Sequence, residues 1–291
     1  MDRVGTIIKG IGGFYYVKIG TNVLECKARG IFRKDGIRPT VGDRVKLSED
    51  MDLIEEIFPR KNLLSRPAIA NVDHIGIVLA TKNPNPDYLL VDKMLVYSCI
   101  QDIEPIIIIN KIDKGNRTDI DRIIEMYENT GWNIFLVSSL TGEGIKELSH
   151  GLTDGITTLA GQSGVGKSSL LNALYPKFNL EVGSISQRLG RGRHTTRYVE
   201  LLPLPDGGMI ADTPGFSSVA VQNIEDRVVA NCYPEFVKYS CGCRFGSKCI
   251  HVKEPGCSVK ENVETGKISR HRYERYIKIL EEIEERGVDY R

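Results

Sequence analysis

The octapeptide Gly161-Gln162-Ser163-Gly164-Val165-Gly166-Lys167-Ser168 constrains this chain more than any other stretch. It fits G-x-x-x-x-G-K-[ST] in full, follows the strand-like run 157–160 and opens the helix-like stretch Lys167–Leu174. Backbone N–H groups of such a turn can curl around phosphate oxygens, and the following helix N-terminus adds the positive end of its dipole. Lys167 then faces the β- and γ-phosphates, and the Ser168 hydroxyl offers a ligand to Mg²⁺, with Ser169 next to it in the first turn. A chance glycine-rich turn would supply the glycines but not the flanking strand and helix. A strand–loop–helix unit belongs to an α/β layer with a parallel sheet. The surrounding sequence agrees: apolar runs at 75–80, 106–109, 134–137 and 209–211 alternate with helix-like stretches, among them 119–129. Runs without polar alternation suit strands covered on both faces.

The chain has 291 residues, 41% of them hydrophobic, enough for real cores and too many for a disordered or collagen-like chain. A net charge of +1 excludes a uniformly basic nucleic-acid coat. No apolar run reaches the ~18 residues of a membrane span. The first residues, Met1-Asp2-Arg3-Val4-Gly5, do not read as a signal peptide, so a cytoplasmic protein without a membrane partner is expected. Before the α/β region, residues 1–65 hold five strand-sized runs (4–8, 14–19, 23–26, 41–47 and 53–58) broken by glycine turns, with 12 basic against 9 acidic residues. Five short strands predict a small closed β-barrel of the OB-fold kind; an SH3-like barrel would read almost the same way.

Three further motifs sit at strand ends, where ligands of α/β sheets collect. In Asp212-Thr213-Pro214-Gly215 the aspartate can hold Mg²⁺ and the Gly215 N–H can meet a γ-phosphate. In Asn110-Lys111-Ile112-Asp113 the aspartate can accept two hydrogen bonds from the N1–H and N2–H₂ edge of guanine, a donor pair that adenine lacks. Asn110 can tie this loop to the phosphate loop, and the Lys111 stem can cover the base. Taken singly, the tetrapeptide also reads as a helix N-cap. Ser138-Ser139-Leu140 can offer a backbone N–H to guanine O6.

Together these residues resemble the guanine-nucleotide motifs of P-loop GTPases, in an altered order. The base motifs at 110 and 138 precede the phosphate loop at 161, and Asp212 follows it. The chain therefore resembles a circularly permuted GTPase. With a small barrel before it and a Cys/His cluster after it, the chain is similar to the RsgA (YjeQ) family. The resemblance implies three parts: an OB-fold RNA-binding barrel (1–65), a permuted GTPase domain (66–220) and a zinc-binding domain with a C-terminal helix (221–291). It also implies a late assembly factor of the small (30S) ribosomal subunit. Such a factor binds rRNA, works as a monomer, and hydrolyses GTP to GDP and phosphate with stimulation by the subunit. An RNA-binding scaffold that uses GTP as a structural ligand or binding switch is the competing reading. An ATPase is disfavoured by the 110–113 motif.

Between the phosphate loop and Asp212, Arg188, Arg191, Arg193 and Arg197 lie in an acid-free run, 183–199. Such a run either contacts RNA or phosphate or is a solvated loop. A threonine here matches the switch I ligand of Mg²⁺; the resemblance favours Thr196 over its neighbour Thr195. Ras-like enzymes orient the attacking water with a glutamine after D-x-x-G. Here that residue is Phe216, which has no hydrogen-bonding side chain, so slow intrinsic hydrolysis is expected. His194 is the local replacement, since an imidazole can orient water or take its proton near neutral pH. An RNA-contacting or structural histidine is the plainer alternative.

Of seven cysteines, four crowd into residues 241–257. Cys243-x5-Cys249-x-His251-x5-Cys257 offers three thiolates and an imidazole, enough to close a tetrahedral, structural Zn²⁺ shell. Cys241 competes with Cys243 for the first position; the resemblance favours Cys243, although this chain's first gap is one residue longer than is usual in the family. In so small a segment zinc is expected to stand in for a hydrophobic core. Cys26, Cys99 and Cys232 read as buried thiols, and His74, His150 and His271 as ordinary histidines. The basic stretch Arg270, His271, Arg272, Arg275, Lys278 reads equally as a solvated helix face or an rRNA contact.

Overall fold

In the amino-terminal residues each apolar run is too short to bury itself, and closure of the strands on one another solves this. The computed structural model describes residues 3–30, 32, 36–65, 67–175, 199–212 and 224–288. Five strands, β1 (Val4–Ile11), β2 (Phe14–Ile19), β3 (Asn22–Ala28), β4 (Arg44–Leu47) and β5 (Leu53–Ile57), pair in the order β1-β2-β3-β5-β4, and β4 closes back on β1. This is the OB arrangement, with the single parallel pair between β3 and β5 (Lys27 opposite Leu53). Ile7, Val17, Cys26, Val45, Leu47 and Ile54 fill the interior. Closure needs Gly5: a Cβ there would lie 2.6 Å from the Lys18 carbonyl and the Ile19 side chain. A bulge after Ile7 bends β1 away, and Lys9 then faces Glu200 of another strand.

The chain forms two compact units, each built from non-contiguous segments. The first holds the barrel, the hairpin β6 (Leu63–Ser65) and β7 (Ala68–Ala70), and residues Ile145–Leu159 and Lys167–Phe216. Buried Asp43 anchors the hairpin's approach through Arg60, at 2.6 and 2.8 Å. In the second unit, β8 (His74–Ala80, from Ile77 onward), β9 (Glu104–Asn110) and β10 (Asn133–Leu136) lie in the order β10-β9-β8. Strands β9 and β10 are parallel, with Ile106 opposite Asn133. Ile106, Ile107, Ile108 and Ile109 are all buried, as expected of a strand covered on both faces; each such side chain contributes about 1.5–3 kcal/mol. In the first unit, β11 (Ile156–Ala160) runs parallel to β13 (Met209–Asp212), and β12 (Glu200–Pro203) is antiparallel to β13.

Helix α1 (Tyr88–Ile100) starts at the N-cap Asp87, and α2 (Arg117–Tyr127) at a capping box of Asn116 and Asp119. The first unit carries α3 (Ile145–His150) and α4 (Lys167–Leu174). The carboxyl-terminal part holds α5 (Asp226–Asn231), α6 (Pro234–Ser240), α7 (Ser258–Glu264) and α8 (Arg270–Val288).

Three expectations change here. The carboxyl-terminal segment builds a core of its own around Tyr233, Phe236, Val259, Ile268, Tyr276 and Ile279, joined by Val96 of α1, so metal does not substitute for a core. Cys99 and Cys232 are paired as a disulfide, with Cα atoms 5.6 Å apart, rather than lying as separate buried thiols. The basic stretch of α8 is no uniform solvated face. Arg272 is buried, 2.7 Å from Asp92 and 2.5 Å from Glu235, and Arg275 also pairs with Asp92. Tyr233, Tyr127 and Trp132 surround the Arg272 guanidinium at 4.8, 5.1 and 5.5 Å. Burial raises the Asp92 carboxyl against the opposing pull of the two arginines.

Candidate active site and metal centre

Glycines set the path of the phosphate loop. Gly161 adopts φ +144° where β11 ends, and a Cβ there would collide with the Val78 carbonyl. Gly166 adopts φ +97°, and a Cβ there would come 2.5 Å from the Asn110 amide. Between them, buried Val165 pins the loop. Gln162 leads into a turn formed by Ser163 and Gly164, and Lys167, Ser168 and Ser169 begin α4. Burial pushes the Lys167 ammonium down to about 8, a shift that a bound anion would oppose.

Asn110 joins three motifs. Its side chain is fully buried; Nδ2 donates to the Val165 carbonyl at 2.9 Å and to Ser139 Oγ at 3.3 Å. Its Oδ1 accepts from the Ser139 N–H at 3.1 Å and the Lys111 N–H at 2.8 Å. Lys111 takes a left-handed backbone, φ +62°, and its Nζ reaches the carbonyls of Gly164, at 2.7 Å, and Asn83. Its stem is thereby stretched toward the phosphate loop. The Ile112 N–H is held by the Val137 carbonyl at 3.3 Å. Asp113 is exposed; Ser138 Oγ donates to its Oδ1 at 2.6 Å, and Oδ2 has no hydrogen-bond partner among the described residues.

The serine loop works differently from its sequence reading in one respect. The Ser138 N–H goes to the Glu143 carbonyl at 2.9 Å and the Ser139 N–H to Asn110, so neither is left for a base oxygen. Leu140, 78% exposed, is the residue of the three whose N–H remains for one. Asp212 ends β13 as expected. Its side chain, and the whole of Thr195, Thr196, His194, Gly215, Phe216 and the arginine run, lie outside the described residues. Sequence reading missed Thr81, Asn83 and Gly115, which brace the base motif; an Asn-Pro step just beyond a strand's carboxyl end was the available signal.

Near the carboxyl terminus Cys243, Cys249, His251 and Cys257 are all buried, and their ligand atoms lie within 4.8 Å of one another. Cys243 Sγ is 3.6 Å from His251 Nδ1 and 3.9 Å from Cys257 Sγ, and His251 Nδ1 is 3.4 Å from Cys257 Sγ. A tetrahedral ion with Zn–S of ~2.3 Å and Zn–N of ~2.05 Å requires S–S and S–N separations of roughly 3.8 and 3.5 Å. The donor set and its spacing thus fit zinc. Cys243 belongs to this buried group, whereas Cys241 is exposed and outside it. The Tyr273 hydroxyl, donating to the His251 carbonyl at 2.7 Å, fixes the backbone of the histidine from α8.

Comparison with known proteins bears on this geometry. Residues 57–222 match the family model described as RsgA GTPase, and residues 4–53 match the RsgA N-terminal domain. The chain belongs to the RsgA GTPase family. It is 46% identical to the small ribosomal subunit biogenesis GTPase RsgA of Caldanaerobacter subterraneus, covering 98% of each chain. It is 45% identical to the RsgA of Ruminiclostridium cellulolyticum, covering 97% of this chain and 94% of that one. Among solved structures, YjeQ of Thermotoga maritima aligns with a TM-score of 0.83 at 36% identity, over 97% of this chain and 99% of that one. YloQ, a circularly permuted GTPase, aligns with a TM-score of 0.83 at 38% identity, over 98% and 96%. The RsgA family is one of GTP hydrolases. The motif order 110, 138, 161, 212 is the circular permutation that the YloQ structure is named for. Among the described residues of this RsgA family member, no helix is long and apolar enough to cross a membrane.

Proposed function

We propose that this chain hydrolyses GTP to GDP and phosphate as a late assembly factor of the small ribosomal subunit, with the subunit stimulating turnover. The observation that carries the reading is the Asn110 knot. One buried amide holds the guanine motif, the serine loop and the phosphate loop together, although they come from distant parts of a permuted sequence.

Asp113 would accept from the guanine N1–H and N2–H₂ edge, Leu140 would donate to O6, and the Lys111 stem would cover the base. Gly161 to Gly166 would cradle the phosphates, and Lys167 would neutralise the β- and γ-oxygens. Ser168, Thr196 and Asp212 would hold Mg²⁺, which supplies positive charge to the transferring phosphoryl group. Gly215 would meet the γ-phosphate. His194 would orient the water or take its proton, in place of the glutamine that Phe216 replaces. The Cys243, Cys249, His251 and Cys257 set would hold one structural Zn²⁺. We assign three functional parts, 1–65, 66–220 and 221–291, the first and last contacting rRNA, in a cytoplasmic monomer.

The test is steady-state GTP turnover by the full chain with and without purified small subunits. A rise of more than ~10-fold, about 1.4 kcal/mol of barrier, supports the reading. Unchanged turnover favours a scaffold that holds GTP as a ligand. Loss of the stimulated rate in His194→Ala is expected; full retention would remove that residue from the mechanism.

A further inference from the structure

Asp113 sits in a turn whose ends are held by one atom. The Lys111 carbonyl accepts the Lys114 N–H at 2.9 Å, closing a four-residue turn with Asp113 at its third position. The same carbonyl accepts a second hydrogen bond, from Thr81 Oγ1 at 2.7 Å. Thr81 lies just past the end of β8, is 4% exposed, and also donates its N–H to the Asn110 carbonyl at 3.1 Å. Immediately after the turn, Gly115 rests on the Thr81 side chain: a Cβ there would lie 2.7–3.0 Å from Thr81 Cβ, Oγ1 and Cγ2. Two residues after Thr81, Asn83, itself left-handed at φ +50°, accepts from Lys111 Nζ through its carbonyl.

We infer that Thr81 is a positioning residue for guanine specificity, its hydroxyl fixing the turn that aims the Asp113 carboxylate at the exocyclic amine of the base. The inference rests on the guanine-binding reading above. A lone turn hydrogen bond lets the 111–114 peptide planes rock. A second donor on the same carbonyl, backed by a residue with no room for a side chain, removes that freedom. Aim matters most for the carboxylate, because a charged hydrogen bond weakens steeply once it bends. The Ser138 bond holds Asp113 Oδ1 from the other side, so the two supports act on backbone and side chain separately.

Inosine diphosphate is the probe, since it differs from GDP by the N2 amine alone. The ratio of its dissociation constant to that of GDP reads how well Asp113 engages that amine. For the unaltered chain the ratio is expected at roughly 10- to 100-fold, the range of one hydrogen bond to a charged group. Thr81→Val, nearly isosteric, is expected to lower it at least ~5-fold, chiefly by weakening GDP, and Thr81→Ser to restore it. Gly115→Ala, whose added Cβ presses on the Thr81 side chain, its hydroxyl included, is expected to lower it as well and keeps the test open should Thr81→Val fail to fold. An unchanged ratio in folded Thr81→Val or Gly115→Ala protein, or equal weakening of both nucleotides, would overturn the inference. Failure of the unaltered chain to prefer GDP over inosine diphosphate would instead overturn the guanine reading itself.

Discussion

At the scale of single residues, chemistry and support are divided between different side chains. Asp113 is exposed, with one carboxylate oxygen unpartnered among the described residues, while buried Asn110 spends its amide on tying the neighbouring loops together. Asp113→Asn is expected to weaken GDP binding by ~10²-fold or more, since one charged acceptor serves two donors; titration with a fluorescent GDP analogue measures this. Asn110→Ala is expected to weaken binding comparably and to lower the melting temperature as well, because it leaves the Val165 carbonyl without this donor. Lys167 gives a pH signature. In the chain without nucleotide its ammonium is held down to about 8 by burial; phosphates raise it, so the complex holds more protons than the unliganded chain above that pH. Affinity should therefore be flat below about pH 7 and fall above about pH 8 by up to ~10-fold per unit. Lys167→Arg, which stays charged, should flatten the profile.

At the scale of elements, legibility followed patterning. The strand Glu104–Asn110 and the helix Lys167–Leu174 were readable because an unbroken isoleucine run and a complete phosphate-loop pattern admit few alternatives. Helix α1 was not readable. Its buried residues include Asp92 and Ser98 among Val91, Met94, Leu95 and Val96, so no single apolar stripe marks it. Asp92 has its arginine partners 180 residues and more away on α8, which no local pattern can announce. The same distance hid the inward turn of Arg272. That arginine bridges Asp92 and Glu235 within an aromatic cage, with Arg275 as the second cation on Asp92, and removing one partner of a buried ion group leaves the others undercompensated. Arg272→Ala is expected to cost about 3–5 kcal/mol of stability, seen as a lower denaturation midpoint. Arg270→Ala, at an exposed position of the same helix, should cost within ~0.5 kcal/mol.

At the scale of the whole chain, the order of motifs identified the permutation, and geometry added what spacing could not: Cys243 is buried in the Cys/His group and Cys241 is exposed outside it. Because the proposed zinc ligands stand with a genuine core, chelation should loosen the 243–257 loop and lower the melting temperature while most helical circular dichroism survives. Metal analysis should find one zinc per chain, lost in Cys257→Ser. The central claim is that motifs in permuted order rebuild one guanine-nucleotide site. Displacement of a bound fluorescent GDP analogue by excess GDP or ADP, with Mg²⁺ present, tests it most directly. The account predicts that GDP displaces the probe completely and that ADP at ~100-fold higher concentration leaves it bound, as two unmatched charged hydrogen bonds require. Equal displacement by ADP would contradict it.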